Sequence, residues 1–154
     1  CDRKKTVSDG DIEALIVDDV LAIVPERRFE LKDFSIQVAG RGRASASITL
    51  RDGQGEVTDA AAGNGPVDAA YSAVRRLVGI APELSSYRIL ATSERSDAVG
   101  EAVITLRLGD LKAQGRGAST DVIESSIKAY VNAVNRLYAL AAARGETLNG
   151  ENAG

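Results

Sequence analysis

The 154-residue sequence contains no histidine, tryptophan or methionine, and it has only one cysteine. Without histidine or a cysteine cluster, the common transition-metal sites and the Ser-His and Cys-His forms of nucleophilic catalysis are excluded. The single cysteine also excludes a disulfide within the chain and is typical of a reducing cytosol. A carboxylate-dependent hydrolase remains open in principle, but the spacing of Asp and Glu nominates no catalytic pair. We therefore expect a chain that is not itself an enzyme.

The sequence also lacks long apolar runs and a strong excess of either positive or negative charge. No apolar run approaches the ~20 residues that span a bilayer, and the net charge of −3 comes from both signs mixed along the chain. Nucleic-acid binding needs a basic face, which short pairs such as Arg75 and Arg76 do not form. We expect a cytoplasmic protein without a membrane or nucleic-acid partner. Because the chain begins at Cys1 rather than Met, we expect it to be a piece of a longer protein.

What the sequence does contain is an internal repeat. The strand sequence ITLR occurs at residues 48–51 and again at 104–107, and AVRRL at 73–77 is echoed by AVNRL at 133–137. In both halves, apolar residues alternate with polar ones before a turn and then change to helical spacing. Each half therefore predicts three strands followed by one helix. In the second half we expect the third strand to cover Leu111–Gln114, because the glycines at 115 and 117 then interrupt it.

The predicted fold class is α+β, with two strand-strand-strand-helix units whose antiparallel sheets have helices packed between them. Residues 1–30 are expected to form an N-terminal linker helix, residues 31–80 and 81–143 the two units of one domain, and residues 144–154 a flexible tail. On the last helix, Asn132 and Asn135 are expected to form a solvated or interface-facing stripe. With only 4% aromatic residues, each unit has a thin core, which favours a homodimer.

Four stretches of the chain carry a resemblance to a known family. They are residues 63–69 (GNGPVDA), 96–100 (SDAVG), 115–126 (GRGASTDVIESS) and 128–137 (KAYVNAVNRL). In this order they resemble signature stretches of the C-terminal regulatory domain of α-isopropylmalate synthase, with Ser96 where the family has Lys. Residues 2–16 also resemble the linker that precedes this domain.

The resemblance implies an allosteric domain of leucine biosynthesis that binds L-leucine as feedback inhibitor at or near a dimer interface. The family's catalytic barrel, an acyltransferase that uses acetyl-CoA and a divalent metal held by Asp and His, would be a different part of the same protein. A sequence without histidine could not form that metal site, so we expect no cofactor in this fragment.

A free branched-chain amino acid needs donors for its carboxylate, an acceptor for its ammonium group and a dry pocket for its side chain. The helix start after Gly63 offers N–H donors, and Asp68 or Asp97 offers a carboxylate. The resemblance implies a ligand site formed by Asn64, Gly65, Pro66, Val67, Asp68, Leu84, Tyr87, Ala91, Asp97, Ala98, Gly100 and Ala118.

Considered without the resemblance, these residues have simpler explanations. Residues 63–66 form a common type of turn that opens a helix, and Asp68 complements the helix dipole. On this interpretation Asp97 is expected to hold the loop between the first two strands of the second unit, and the spacing of Leu84 and Tyr87 is that of ordinary core residues. Two other functions also remain open, namely an isoleucine-sensing domain of citramalate synthase and a purely structural dimerisation module.

Overall fold

A computed structural model describes residues 28–91, 100–146 and 148 of the chain. The predicted N-terminal helix and most of the predicted tail lie outside these residues. The regular elements are β1 (Glu30–Val38), a short 3-10 turn (Gly40–Gly42), β2 (Ala44–Asp52), β3 (Gly55–Gly63), α1 (Pro66–Val78), β4 (Glu83–Ala91), β5 (Gly100–Leu108), β6 (Leu111–Ser119) and α2 (Val122–Ala143). Among the described helices, none is both long and apolar enough to cross a membrane.

The two halves repeat each other down to the strand register. Each forms a three-stranded antiparallel sheet with its strands in chain order, β1-β2-β3 and β4-β5-β6. The first strand of each sheet shifts register at the same place, between Leu31 and Asp33 in β1 and between Leu84 and Ser86 in β4. A helix follows each set of three strands. The predicted α+β fold with internal duplication is therefore confirmed.

The third strand of the second unit is longer than predicted. It continues to Ser119, so the expectation that it ends at Gln114 is wrong. Gly115 and Gly117 lie within the strand on the face that α2 covers, where an added Cβ at either position would collide with the α2 backbone at Ala129. These glycines permit helix and strand backbones to touch, so they belong to the strand and do not interrupt it.

One hydrophobic core joins the two units. Each helix packs on its own sheet, and the two helices also contact each other. In the centre of the sheets, Ile48 and Leu50 of β2 and their repeats Ile104 and Leu106 of β5 are fully buried. Across the helix pair, the Tyr138 hydroxyl of α2 donates to the carbonyl of Val78 at the end of α1, at 3.0 Å.

The asparagines of α2 differ from the expected solvated stripe. Asn135 is only 7% exposed and belongs to the interior, so the expectation is wrong for this residue. Asn132 is less buried, and its side chain donates to the carbonyl of Arg116 at 2.6 Å. Arg136 donates in the same way to the carbonyl of Gln114 at 2.6 Å. These carbonyls belong to an edge strand, β6, so the two side chains cover part of a sheet edge.

Candidate functional site

The start of α1 presents backbone donors as the sequence predicts. Gly65 caps the helix with φ at 153°, a conformation that favours glycine, and Pro66 takes the first helical position. The first bond of the helical ladder runs from the N–H of Ala69 to the carbonyl of Gly65 at 2.9 Å. The N–H groups of Val67 and Asp68 precede this bond, and a helix does not itself satisfy such groups. They lie at the positive end of the helix dipole, which suits a carboxylate.

The carboxylate of Asp68 is attached to the turn in front of the helix. Its Oδ2 accepts the N–H of Asn64 at 2.9 Å, and both side chains are exposed. An added Cβ at Gly63 would collide with this carboxylate and with the backbone of Ala69. Asp68 therefore stabilises the turn, in agreement with the simpler explanation of this residue. A carboxylate accepts several hydrogen bonds, so Asp68 also keeps the capacity to accept an ammonium group.

Leu84 and Tyr87 lie on an exposed apolar face of β4. They pair with Leu106 and Ile104, which are fully buried beneath the helices, yet Leu84 is 43% and Tyr87 is 38% exposed. Their interpretation as ordinary core residues is therefore wrong. Ile89, also on this side of the strand, is 42% exposed. The helix α2 packs on β6 and β5 of this sheet and leaves β4 largely uncovered, so this face of β4 stays open.

The remaining predicted site residues are spread more widely. The backbone of Ala91 pairs with Gly100 at the end of the sheet, where a Cβ on Gly100 would meet only ordinary contacts. Ala118 is exposed on the face of the sheet opposite to Leu84 and Tyr87. The structure thus places Leu84 and Tyr87 on one surface and Ala118 on another. The other two predicted residues, at positions 97 and 98, lie outside the described residues.

Two further residues, Tyr71 and Ser126, connect the parts of this site, and neither belongs to the site predicted from the sequence. The hydroxyl of Tyr87 shares a 2.7 Å hydrogen bond with Oγ of Ser126, and the hydroxyl of Tyr71 donates to the backbone carbonyl of Ser126 at 3.1 Å. Burial raises the pKa of Tyr71, and the nearby hydroxyl of Tyr87 raises it further. Helical periodicity places Tyr71 and Ser126 on buried faces, but it contains no signal for partners on other elements.

The described residues contain no group of three or more His, Cys, Asp and Glu side chains that could hold a metal ion. The whole sequence also lacks histidine. The Asp and His metal site that the resemblance implies for the catalytic barrel therefore does not fit this chain.

Comparison with known proteins identifies the family of this chain. The family described as "LeuA allosteric (dimerisation) domain" matches residues 6–138. The 2-isopropylmalate synthase of Ruminiclostridium cellulolyticum is 42% identical over 135 residues, which cover 88% of this chain and 26% of the relative. That of a Nostoc species is 41% identical over 139 residues, covering 90% of this chain and 26% of the relative.

A third 2-isopropylmalate synthase, from Carboxydothermus hydrogenoformans, is 40% identical over 146 residues, covering 94% of this chain and 28% of the relative. The chain thus spans about a quarter of the length of the relatives it matches. The family match covers the first repeated unit and the second unit as far as residue 138, and it includes the helix start at Asn64 and the α2 residue Ser126. The chain belongs to the family of LeuA allosteric (dimerisation) domains.

Proposed function

We propose that this chain is the leucine-binding feedback domain of a 2-isopropylmalate synthase. The observation that carries the proposal is the exposed apolar face of β4, where Leu84 and Tyr87 remain open to solvent although their strand partners are fully buried. A contiguous apolar surface of this kind on a water-soluble domain is typical of a binding site. Membership of an allosteric family supports the same interpretation.

The chemistry of the described residues matches the three parts of a leucine molecule. The N–H groups of Val67 and Asp68 at the start of α1 would bind its carboxylate. The carboxylate of Asp68, or that of Asp97, would accept its ammonium group. The apolar face that includes Leu84 and Tyr87 would cover its aliphatic side chain.

We further propose that the chain forms a homodimer and that the second copy completes the effector site. β4 is an edge strand with an apolar face, and a second copy would cover the edge of this strand and enclose the leucine bound on the apolar face. Light scattering should give about twice the chain mass of 16.1 kDa. A clean monomer at micromolar concentration would contradict the dimer.

In the full-length protein, the partner of this domain would be the catalytic barrel of the same chain. The relatives named 2-isopropylmalate synthase are about four times as long as the matched segment, which leaves room for such a barrel. We propose that acetyl-CoA and a divalent metal are bound there and that this cytoplasmic enzyme serves leucine biosynthesis. Leucine bound at the regulatory domain would then inhibit it.

Isothermal titration with leucine, isoleucine, valine and glycine tests the proposal. Leucine should bind most tightly, and valine, which lacks one methylene group, should bind about 10- to 200-fold more weakly. Glycine presents the same ammonium and carboxylate and serves as the control for the apolar pocket. Tighter binding of isoleucine would favour a citramalate synthase domain, and no binding of any of the four would favour a structural dimerisation module.

A further inference from the structure

Ser126 is the one described residue that is hydrogen-bonded to tyrosines from both parts of the proposed effector site. Its side-chain Oγ lies 2.7 Å from the hydroxyl of Tyr87 on the apolar face of β4. Its backbone carbonyl accepts the hydroxyl of Tyr71 at 3.1 Å. Tyr71 lies on α1 one helical turn after Val67, whose N–H is a proposed carboxylate donor. The strand that carries the apolar face and the helix that carries the proposed carboxylate donors are thus both hydrogen-bonded to the same residue of α2.

We infer that Ser126 is a positioning residue of the effector site, which holds Tyr87 at the correct distance from the start of α1. This inference rests on the proposed leucine-binding function and adds a residue to it. Ser126 is fully buried and would not touch the ligand. It acts through Tyr87, because the bond to its hydroxyl fixes the end of an otherwise half-exposed ring. A ring that is fixed before the ligand arrives loses less conformational entropy on binding.

The neighbouring residue Ser125 provides a matched control. Ser125 is also fully buried on α2, but its hydroxyl donates to the carbonyl of Val122 at 2.9 Å, within its own helix. Ser125→Ala and Ser126→Ala therefore each remove one buried hydroxyl from the same turn of the helix. Only Ser126→Ala removes a bond to β4. The bond from Tyr71 is expected to remain in both variants, because the backbone carbonyl accepts it.

The experiment is a calorimetric titration of leucine into the wild-type chain and into Ser126→Ala, Tyr87→Phe, the double variant and Ser125→Ala, with thermal unfolding measured on each. Ser126→Ala and Tyr87→Phe remove the same hydrogen bond from opposite ends. Each should weaken leucine binding about three- to tenfold, the range expected for one neutral hydrogen bond. The double variant should be no weaker than either single variant. Ser125→Ala should bind leucine within about twofold of wild type, although its melting temperature also falls.

Two results would overturn the positioning role while leucine binding itself stands. One is leucine affinity within twofold of wild type in Ser126→Ala, and the other is an equal loss of affinity in Ser125→Ala. If Ser126→Ala does not fold, Tyr87→Phe decides the question, because it removes the same bond from a partly exposed side chain. Unchanged leucine affinity in Tyr87→Phe would then overturn the inference. No leucine binding by the wild-type chain would refute the proposed function and this inference together.

Discussion

Asn135 satisfies both backbone polar groups of Phe29, a residue 106 positions earlier in the chain. Its Oδ1 accepts the N–H of Phe29 at 2.9 Å, and its Nδ2 donates to the carbonyl of Phe29 at 2.9 Å. Both residues are buried, and the ring of Phe29 packs 5.7 Å from that of Tyr138. This contact fastens the segment just before β1, in the first unit, to α2 of the second unit.

Replacing Asn135 should therefore destabilise the whole domain. Asn135→Ala leaves a buried N–H and a buried carbonyl without their partner, at a cost of about 1–3 kcal/mol for each group. Asn132→Ala is the control, because Asn132 is less buried and water can replace its bond to the Arg116 carbonyl. Urea denaturation should show a much larger loss of unfolding free energy for Asn135→Ala. Equal losses in the two variants would contradict this role of Asn135.

A methyl group on the inner face of β6 should be poorly tolerated. Gly115→Ala would place a Cβ against the α2 backbone at Ala129 and Ala133, and moving a helix away from its sheet costs about 1–3 kcal/mol or more. At Gly53, in the turn after β2, an added Cβ would meet nothing within 4 Å. The melting temperature should fall strongly for Gly115→Ala and change little for Gly53→Ala. A Gly115→Ala variant as stable as wild type would show that α2 does not lie against the strand as described.

Tyr71 and Tyr130, whose ring centroids lie 4.2 Å apart in the core, should respond differently to loss of their hydroxyl groups. Tyr130 is 1% exposed, and within the described structure its hydroxyl makes no hydrogen bond of good geometry, although the Arg75 guanidinium lies near enough to lower its pKa against the effect of burial, which raises it. The Tyr71 hydroxyl is bonded to Ser126. Tyr130→Phe should change the unfolding free energy little, because no well-formed hydrogen bond is lost. Tyr71→Phe should lower it by about 1 kcal/mol, because the Ser126 carbonyl loses its donor. Chemical denaturation of both variants measures the contrast, and the opposite order of stabilities would refute it.

The same tyrosines predict a loss of stability in alkaline solution. Burial raises the pKa of Tyr71 and of Tyr130 above the ordinary value of 10.0. Above pH 10 the folded chain therefore keeps these hydroxyl protons while the unfolded chain releases them. The tyrosines stabilise the folded state fully below pH 10, and this stabilisation is lost as the pH rises above that value. The unfolding free energy should fall above pH 10, and more gently in Tyr71→Phe. An identical pH dependence in wild type and Tyr71→Phe would contradict this assignment.

Much of the fold follows from local sequence patterns. The repeated ITLR strands at Ile48 and Ile104 predict two equivalent sheets, and the structure confirms this down to the position of the register shift. The length of β6 could not be predicted in the same way. Gly115 has the appearance of a strand breaker in sequence, and only the proximity of α2 explains why glycine is required within the strand.

The candidate site was predictable only in part, because its connections are long-range. The GNGPVDA stretch at residues 63–69 predicts a helix start, and the structure has a turn at Asn64 followed by a helix that begins at Pro66. The exposure of Leu84 and Tyr87 depends on how much of the sheet the helices cover, which no local pattern encodes. The partnership of Ser126 with Tyr87 joins two different elements, so the spacing of apolar residues does not reveal it.

Thermal unfolding with and without leucine is the decisive test of leucine binding by this chain. A ligand that binds only the folded state stabilises it by roughly 2.7 kcal/mol at a hundredfold excess over its dissociation constant. Saturating leucine should therefore raise the melting temperature of the chain, and the same concentration of glycine should raise it far less, because glycine has no side chain to fill the apolar face at Leu84 and Tyr87. A melting temperature that leucine raises no more than glycine does would refute leucine binding and favour a structural dimerisation module.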